Sequence, residues 1–264
     1  MKPTTRMAVT KTPDGNEMVL YQHDEDFSIR VEGQVLMHSR QHESELELAR
    51  LGCAHLAKRM APSVLIGGLG LGYTLCECLK LVSPQASVTV CELMPELIEW
   101  NREFLGGLTG DPLQDKRVTV QQGDVVALLS KSAGEFDAIL LDVDNGPKAI
   151  TDAANHRLYG RRGIRVCRKA LTRSGCLAVW SAEPDKGYEG ALVSAGMAVK
   201  RYRVPAYKGS KSQSRFVWVA AGRKSLLPPG GGEPRKPQMT DAKGGGHRKF
   251  GARGQNSARK TQRS

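Results

Sequence analysis

An α/β fold built on a mostly parallel sheet is predicted by three features of the sequence. From Pro62 onward, short apolar runs alternate with segments of helical periodicity, the pattern of a chain that crosses back over one sheet. The first of these runs opens directly into the glycine-rich turn Gly67-Gly-Leu-Gly-Leu-Gly72. The last two runs, Met197–Val204 and Arg215–Ala220, have no helical segment between them and so pair as an antiparallel hairpin.

The elements follow in order. Val64–Ile66 is the first strand, with a helix over Thr74–Val82. Val88–Cys91 is the second, with a helix from Pro95 to about Phe104. Arg117–Gln121 is the third, with a helix over Val125–Ser130. Phe136–Leu141 is the fourth, with a helix over Ile164–Ala170, and Gly175–Trp180 is the fifth. Five βα steps closed by a hairpin give a Rossmann-like, methyltransferase-type sheet over residues 62–222. Ahead of it, Met18–Gln22, Phe27–Val31 and Gln34–Met37 read as the strands of a small N-terminal β-cap. Gln41–Met60 reads as an amphipathic linking helix with Ser39 as a candidate N-cap, completing a unit of residues 18–61. Residues 1–17 are polar and turn-rich and read as a flexible N-terminus.

The net charge of +12 suggests nucleic acid until it is divided along the chain. Eleven Lys and Arg but only Glu233 and Asp241 fall from Arg223 onward. Most of the excess therefore belongs to residues 223–264, a Gly- and Pro-rich stretch with no core-forming pattern, expected to be a disordered basic tail. Such a tail supports weak, salt-sensitive polyanion binding. No run approaches the roughly 20 apolar residues of a membrane span, so the expected location is cytoplasmic, without membrane partners. The six cysteines show no Cys-x-x-Cys pair and no histidine cluster has ligand spacing, so free thiols and no metal are expected. The composition leaves a homo-oligomer open.

The glycine turn sets the chemistry. Gly68, Gly70 and Gly72 let the backbone turn tightly and approach a bound group. A dinucleotide fingerprint wants a small residue at 73, where this chain has Tyr73. Glu92 ends the second strand, where a carboxylate can accept ribose hydroxyls. Gly123-Asp124 follows the third, where a carboxylate can accept from an adenine amino group. Glu92 and Asp124 could instead serve only to cap the helices after them. The fourth strand ends in Asp142-Val-Asp-Asn145, so Asp142, Asp144 and Asn145 face the ligand crevice at the carboxyl edge of the sheet. The alternative is that they only satisfy loop amides.

Beyond these local features, the chain resembles the spermidine synthase-like transferases, the polyamine aminopropyltransferases. The likeness lies in Val64-Leu-Ile-Gly-Gly68, Val90-Cys-Glu-Leu-Met-Pro95, Gly123-Asp124, Phe136-Asp-Ala-Ile-Leu-Leu-Asp142 and Val204-Pro-Ala-Tyr207. The resemblance implies transfer of an aminopropyl group from decarboxylated S-adenosylmethionine to an amine acceptor, a diamine in that family. Glu92 would then bind the ribose, Asp124 the adenine, Asp142 would deprotonate the attacking amine, and Tyr207 would line the acceptor channel beside Asp144 and Asn145. Three departures stand out. Gly70 falls where the family has an aspartate, Asn145 falls where it has a second acid, and Glu45 replaces a tyrosine on the linking helix. A methyltransferase using intact S-adenosylmethionine is the first alternative, since that cofactor's carboxylate would be served by the loss of the acid at Gly70. A non-catalytic nucleic-acid-associated protein is the second.

Overall fold

The computed structural model describes residues 3–143, 155–210 and 213–233. Met1–Pro234 forms one compact unit. Asp144, Asn145 and everything from 234 onward, most of the expected polyanion-binding tail of residues 223–264, lie outside the described residues.

Two sheets organise this unit. The N-terminal sheet is an antiparallel meander of four strands, β1 (Thr5–Lys11), β2 (Glu17–His23), β3 (Asp26–Val31) and β4 (Gln34–His38). The larger sheet has seven strands in the order β10-β11-β9-β8-β5-β6-β7. Its members are β5 (Ser63–Gly67), β6 (Ser87–Glu92), β7 (Val118–Gln122), β8 (Phe136–Leu141), β9 (Leu171–Ser181), β10 (Ala198–Pro205) and β11 (Ser214–Ala221). Strands β5 to β9 pair in parallel, and β10 and β11 close the sheet as an antiparallel hairpin. This is the methyltransferase-type α/β sheet with its terminal hairpin and N-terminal β-cap.

The central strands are buried on both faces, which is why they read as continuous apolar runs. Every residue of β8 is buried. One face packs on helices α1 (Glu43–Cys53) and α2 (Tyr73–Leu81) through Leu48, Leu56, Leu75 and Leu140. The other packs through Leu129, Ile139, Ile164 and Trp218 beneath α5 (Val125–Lys131) and α7 (Arg161–Ala170), the short helices α4 (Gly106–Thr109) and α6 (Asn155–Tyr159) preceding them in turn. Helix α1 lies so close to the sheet that a methyl group on Gly52 would collide with the side chains of Leu140 and Ala178. A third cluster joins Met18, Leu20 and Ile29 of the N-terminal sheet to Leu71 of the glycine turn and to Leu97 and Trp100 of α3 (Pro95–Trp100). The β-cap is thereby fixed over the carboxyl edge of β5 and β6.

Several boundaries differ from the sequence expectation. Residues 5–11, expected to be flexible, pair with β2 from Thr5↔Gln22 to Lys11↔Glu17. They form an edge strand with only one half-buried face, so their polarity conceals the pairing. The linking helix is shorter than expected and begins after His42. Ser39 does not cap it; its hydroxyl instead accepts from the Phe27 N–H at 3.0 Å. Helix α8 (Lys186–Ser194) went unread because glycines 187 and 190 break its periodicity; the Asp185 side chain caps it by accepting from Tyr188 N–H at 3.0 Å. Ordered chain also continues past 222. Leu227 is buried, the Tyr202 hydroxyl donates to the Pro228 carbonyl at 2.7 Å, and Gly232 bridges to Arg201 on edge strand β10.

Candidate active site

The turn between β5 and α2 shapes the site. Gly68 has φ +87°, and a side chain there would run into the backbone carbonyl of Asp142, so the β5 and β8 ends approach more closely than any other residue would permit. The Gly67 carbonyl accepts from the Asp142 N–H at 2.8 Å, and the Gly68 N–H donates to the Cys91 carbonyl at 2.9 Å. Gly70, with φ +52°, faces the Met37 Sδ across 3.5 Å measured from an added methyl. The space of an acid at 70 is therefore bounded by a thioether from the β-cap. Gly72, at φ +85°, starts α2.

Glu92 ends β6 and is buried. Its two oxygens accept from the Leu69 N–H at 2.8 Å and the Met94 N–H at 2.9 Å, so it pins the glycine turn to the second strand. A carboxylate has about four acceptor sites, so these two backbone hydrogen bonds do not by themselves fill it. Asp124, after Gly123, accepts from the Val126 N–H at 2.8 Å as the N-cap of α5, with Arg157 3.8 Å away. Asp124 thus caps the helix after it, Glu92 organises the glycine turn without capping α3, and both line the same cavity. That cavity measures about 280 Å³ and runs past Gly68, Gly70, Glu92, Gly123 and Asp124 against the apolar wall of Met94 and Leu97.

A second cavity of about 220 Å³ lies between α1, α2 and the β9–β11 end of the sheet. Asp142 borders both. Its Oδ2 accepts from the Thr74 hydroxyl at 2.6 Å. Burial pushes the Asp142 carboxyl up to about 6, the Thr74 hydrogen bond opposing the shift. In the same cavity stands Glu45 of α1, pushed up to about 8 by burial first and by the Asp142 carboxylate second. Two close, poorly solvated carboxyls cannot both ionise cheaply.

Sequence reasoning noticed Glu45 as a departure but did not place it in the site. The signal was its position on the inward face of α1, one residue after buried Ser44. Tyr207 is on the other footing. It is 36 % exposed and Ala206, next to it, lines the cavity. Among the described residues, no cluster of three or more His, Cys, Asp or Glu is placed to hold a metal ion, and no helix is long and apolar enough to cross a membrane.

A methyltransferase-type sheet with a cavity at the carboxyl edge of β5, β6 and β7, and an acid at the end of β8, defines a Rossmann-like protein of the spermidine synthase fold. Residues 51–185 match the spermine/spermidine synthase domain. The chain belongs to that family. It is 32% identical over 157 residues to a polyamine aminopropyltransferase of Prochlorococcus marinus strain MIT 9312, covering 59% of this chain and 51% of that protein. A second, from strain MIT 9215, is 30% identical over 174 residues, covering 62% and 58%. The matches span about half the length of these relatives. Among solved structures, spermidine synthase in complex with the transition-state analogue AdoDATO superposes with a TM-score of 0.67 at 18% identity, covering 85% of this chain and 76% of that one. Spermidine synthase from Thermotoga maritima gives 0.67 at 17% identity, covering 85% and 75%.

Proposed function

We propose that this chain transfers an aminopropyl group from a decarboxylated S-adenosylmethionine-type sulfonium nucleoside to a small amine. The observation that supports this best is the position of Asp142 on the border of the two cavities, one suited to a nucleoside and the other to an acceptor.

When bound, the nucleoside supplies the electrophilic carbon and leaves as a neutral thioether. The chain's own residues would do the rest. Glu92 would hold the ribose hydroxyls while keeping the turn closed, and Asp124 the adenine side, with Gly68, Gly70, Gly72 and Gly123 allowing the backbone near. An alkylamine is almost wholly protonated at neutral pH, so it must lose a proton before it can attack. Asp142 would orient the ammonium and accept that proton, which passes to solvent as product leaves. Thr74 fixes the receiving oxygen by donating to its partner across the carboxylate.

Methyl transfer from intact S-adenosylmethionine is the second reading, favoured by the absence of an acid at Gly70. Calorimetric titration of both nucleosides separates the two. Tighter binding of the decarboxylated form, with methylthioadenosine released in the presence of amine, is expected. Tighter binding of the intact form, with S-adenosylhomocysteine released, would replace aminopropyl by methyl transfer.

A further inference from the structure

The acceptor cavity is lined by charges of both signs, Glu45 from α1 and Asp142 after β8 together with Arg215 of β11, and by Trp180 of β9. Trp180 pairs with Val217, two residues from Arg215, so both project from the same face of the sheet as diagonal neighbours. Among the described residues Arg215 forms no ion pair, its Nη1 donating only to the Ser214 carbonyl at 3.3 Å. Among the described residues the buried Trp180 Nε1–H finds no acceptor. Two donors therefore line the same cavity as the two carboxyls, and the Arg215 charge partly offsets the upward shift that burial imposes on Glu45.

We propose that this cavity takes a short acceptor bearing one ammonium and one anionic group, an amino-carboxylate, with Glu45 and Asp142 holding the ammonium and Arg215 and Trp180 meeting the anion. This rests on the transfer reading above and deepens it to a substrate class.

Charge balance favours that class over a diamine. Among the described residues, the titratable and charged groups facing the cavity are Glu45 from α1, Tyr73 from α2, Asp142 after β8, Arg215 from β11 and His38 at the end of β4. The two raised carboxyls share about one proton at neutral pH, and Arg215 offsets the remaining negative charge. A zwitterion leaves this balance intact. A diamine would bring its second ammonium toward the guanidinium, where like charges repel. Size agrees: about 220 Å³ corresponds to roughly seven water volumes, room for a four-carbon chain with its end groups. Entry of the ammonium should also drive the shared proton out to solvent.

The test compares 4-aminobutyrate with 1,4-diaminobutane, equal in carbon number, by calorimetry on the full chain in the presence of methylthioadenosine. The expected result is binding of 4-aminobutyrate about tenfold tighter or better, with net proton release seen as a heat that depends on the buffer. Arg215→Gln should abolish the preference and Arg215→Glu reverse it. Glu45→Gln should weaken both amines and reduce the proton release while methylthioadenosine affinity stays as it was. Equal or tighter binding of the diamine by the parent protein, no binding of either amine, or a preference unchanged in Arg215→Gln would overturn the assignment. Because binding is read without turnover, these outcomes are distinct from failure of the transfer reading, which shows as no methylthioadenosine formed from the decarboxylated donor with any amine.

Discussion

The Thr74 hydroxyl donates to Asp142 Oδ2 at 2.6 Å, linking the first turn of α2 to the end of β8. One hydrogen bond thus couples the helix that opens at the glycine turn to the acid that borders both cavities. It stabilises the ionised carboxylate against the burial that raises it.

Removing that bond should move the titration of Asp142 upward. A hydrogen bond to a charged group contributes about 1.5–3 kcal/mol, and about 1.4 kcal/mol is one pH unit. In Thr74→Val the acidic limb of the kcat/KM profile is expected to shift to higher pH by about one to two units, with little change at the alkaline plateau. A pH–rate series on both proteins measures this. An unshifted limb would detach Asp142 from the profile.

Glu45 makes stability depend on pH in a definite direction. Its folded value of about 8 lies above the ordinary glutamate value of about 4.3, so the folded state holds a proton that the unfolded state releases. The contribution is fully present below about pH 4.3 and is lost as pH rises through about 8. The melting temperature should therefore fall between about pH 5 and pH 9, and fall less in Glu45→Gln. Parallel melting curves of equal slope would place Glu45 in water.

Gly52 is where α1 meets the sheet. Gly52→Ala must push the helix off Leu140 and Ala178, and overpacking of this kind costs about 1–3 kcal/mol. Urea unfolding should show a lower midpoint with an unchanged slope. Because α1 also bears Glu45, amine affinity should weaken in the same variant.

A chain ending at Gly222 loses the buried Leu227 and the two hydrogen bonds to the Pro228 carbonyl, from the Tyr202 hydroxyl and from Lys200 Nζ. Burial of one leucine contributes about 1.5–3 kcal/mol. Ending the chain at Pro234 should retain this stability and ending it at Gly222 should lose it. Equal melting temperatures would mean that the segment only rests on β10.

Much of the fold was legible because it depends on local signals. Val64–Ile66 and Ala138–Leu141 are apolar throughout, as strands covered on both faces must be, and a turn of alternating glycines can only be a tight one. The places of Gly68, Glu92 and Asp142 follow from those strand ends. What escaped depends on tertiary contact. Thr5–Lys11 is an edge strand whose partner lies across a turn, and α8 is held by its Asp185 cap and by Tyr188 and Leu192 more than by propensity. Leu226-Leu227 reads as part of a basic, proline-flanked tail until β10 supplies a surface for it. Glu45 was visible as an anomaly, but only the packing of α1 against α2 and β9 shows that it meets Asp142. Tyr207 was placed by a motif; its side chain is exposed, and Ala206 before it lines the cavity.

The general-base role of Asp142 is tested by single-turnover kinetics of Asp142→Asn, with melting temperature and nucleoside affinity measured on the same preparation. The substitution keeps the shape and can still accept from Thr74, so folding and nucleoside binding should change little. The rate of amine alkylation should fall by roughly 10² to 10⁴, the usual range for loss of a general base. A well-folded Asp142→Asn protein that alkylates amine at the parent rate would remove Asp142 from the chemistry and leave it an organiser of the β5–β8 crevice.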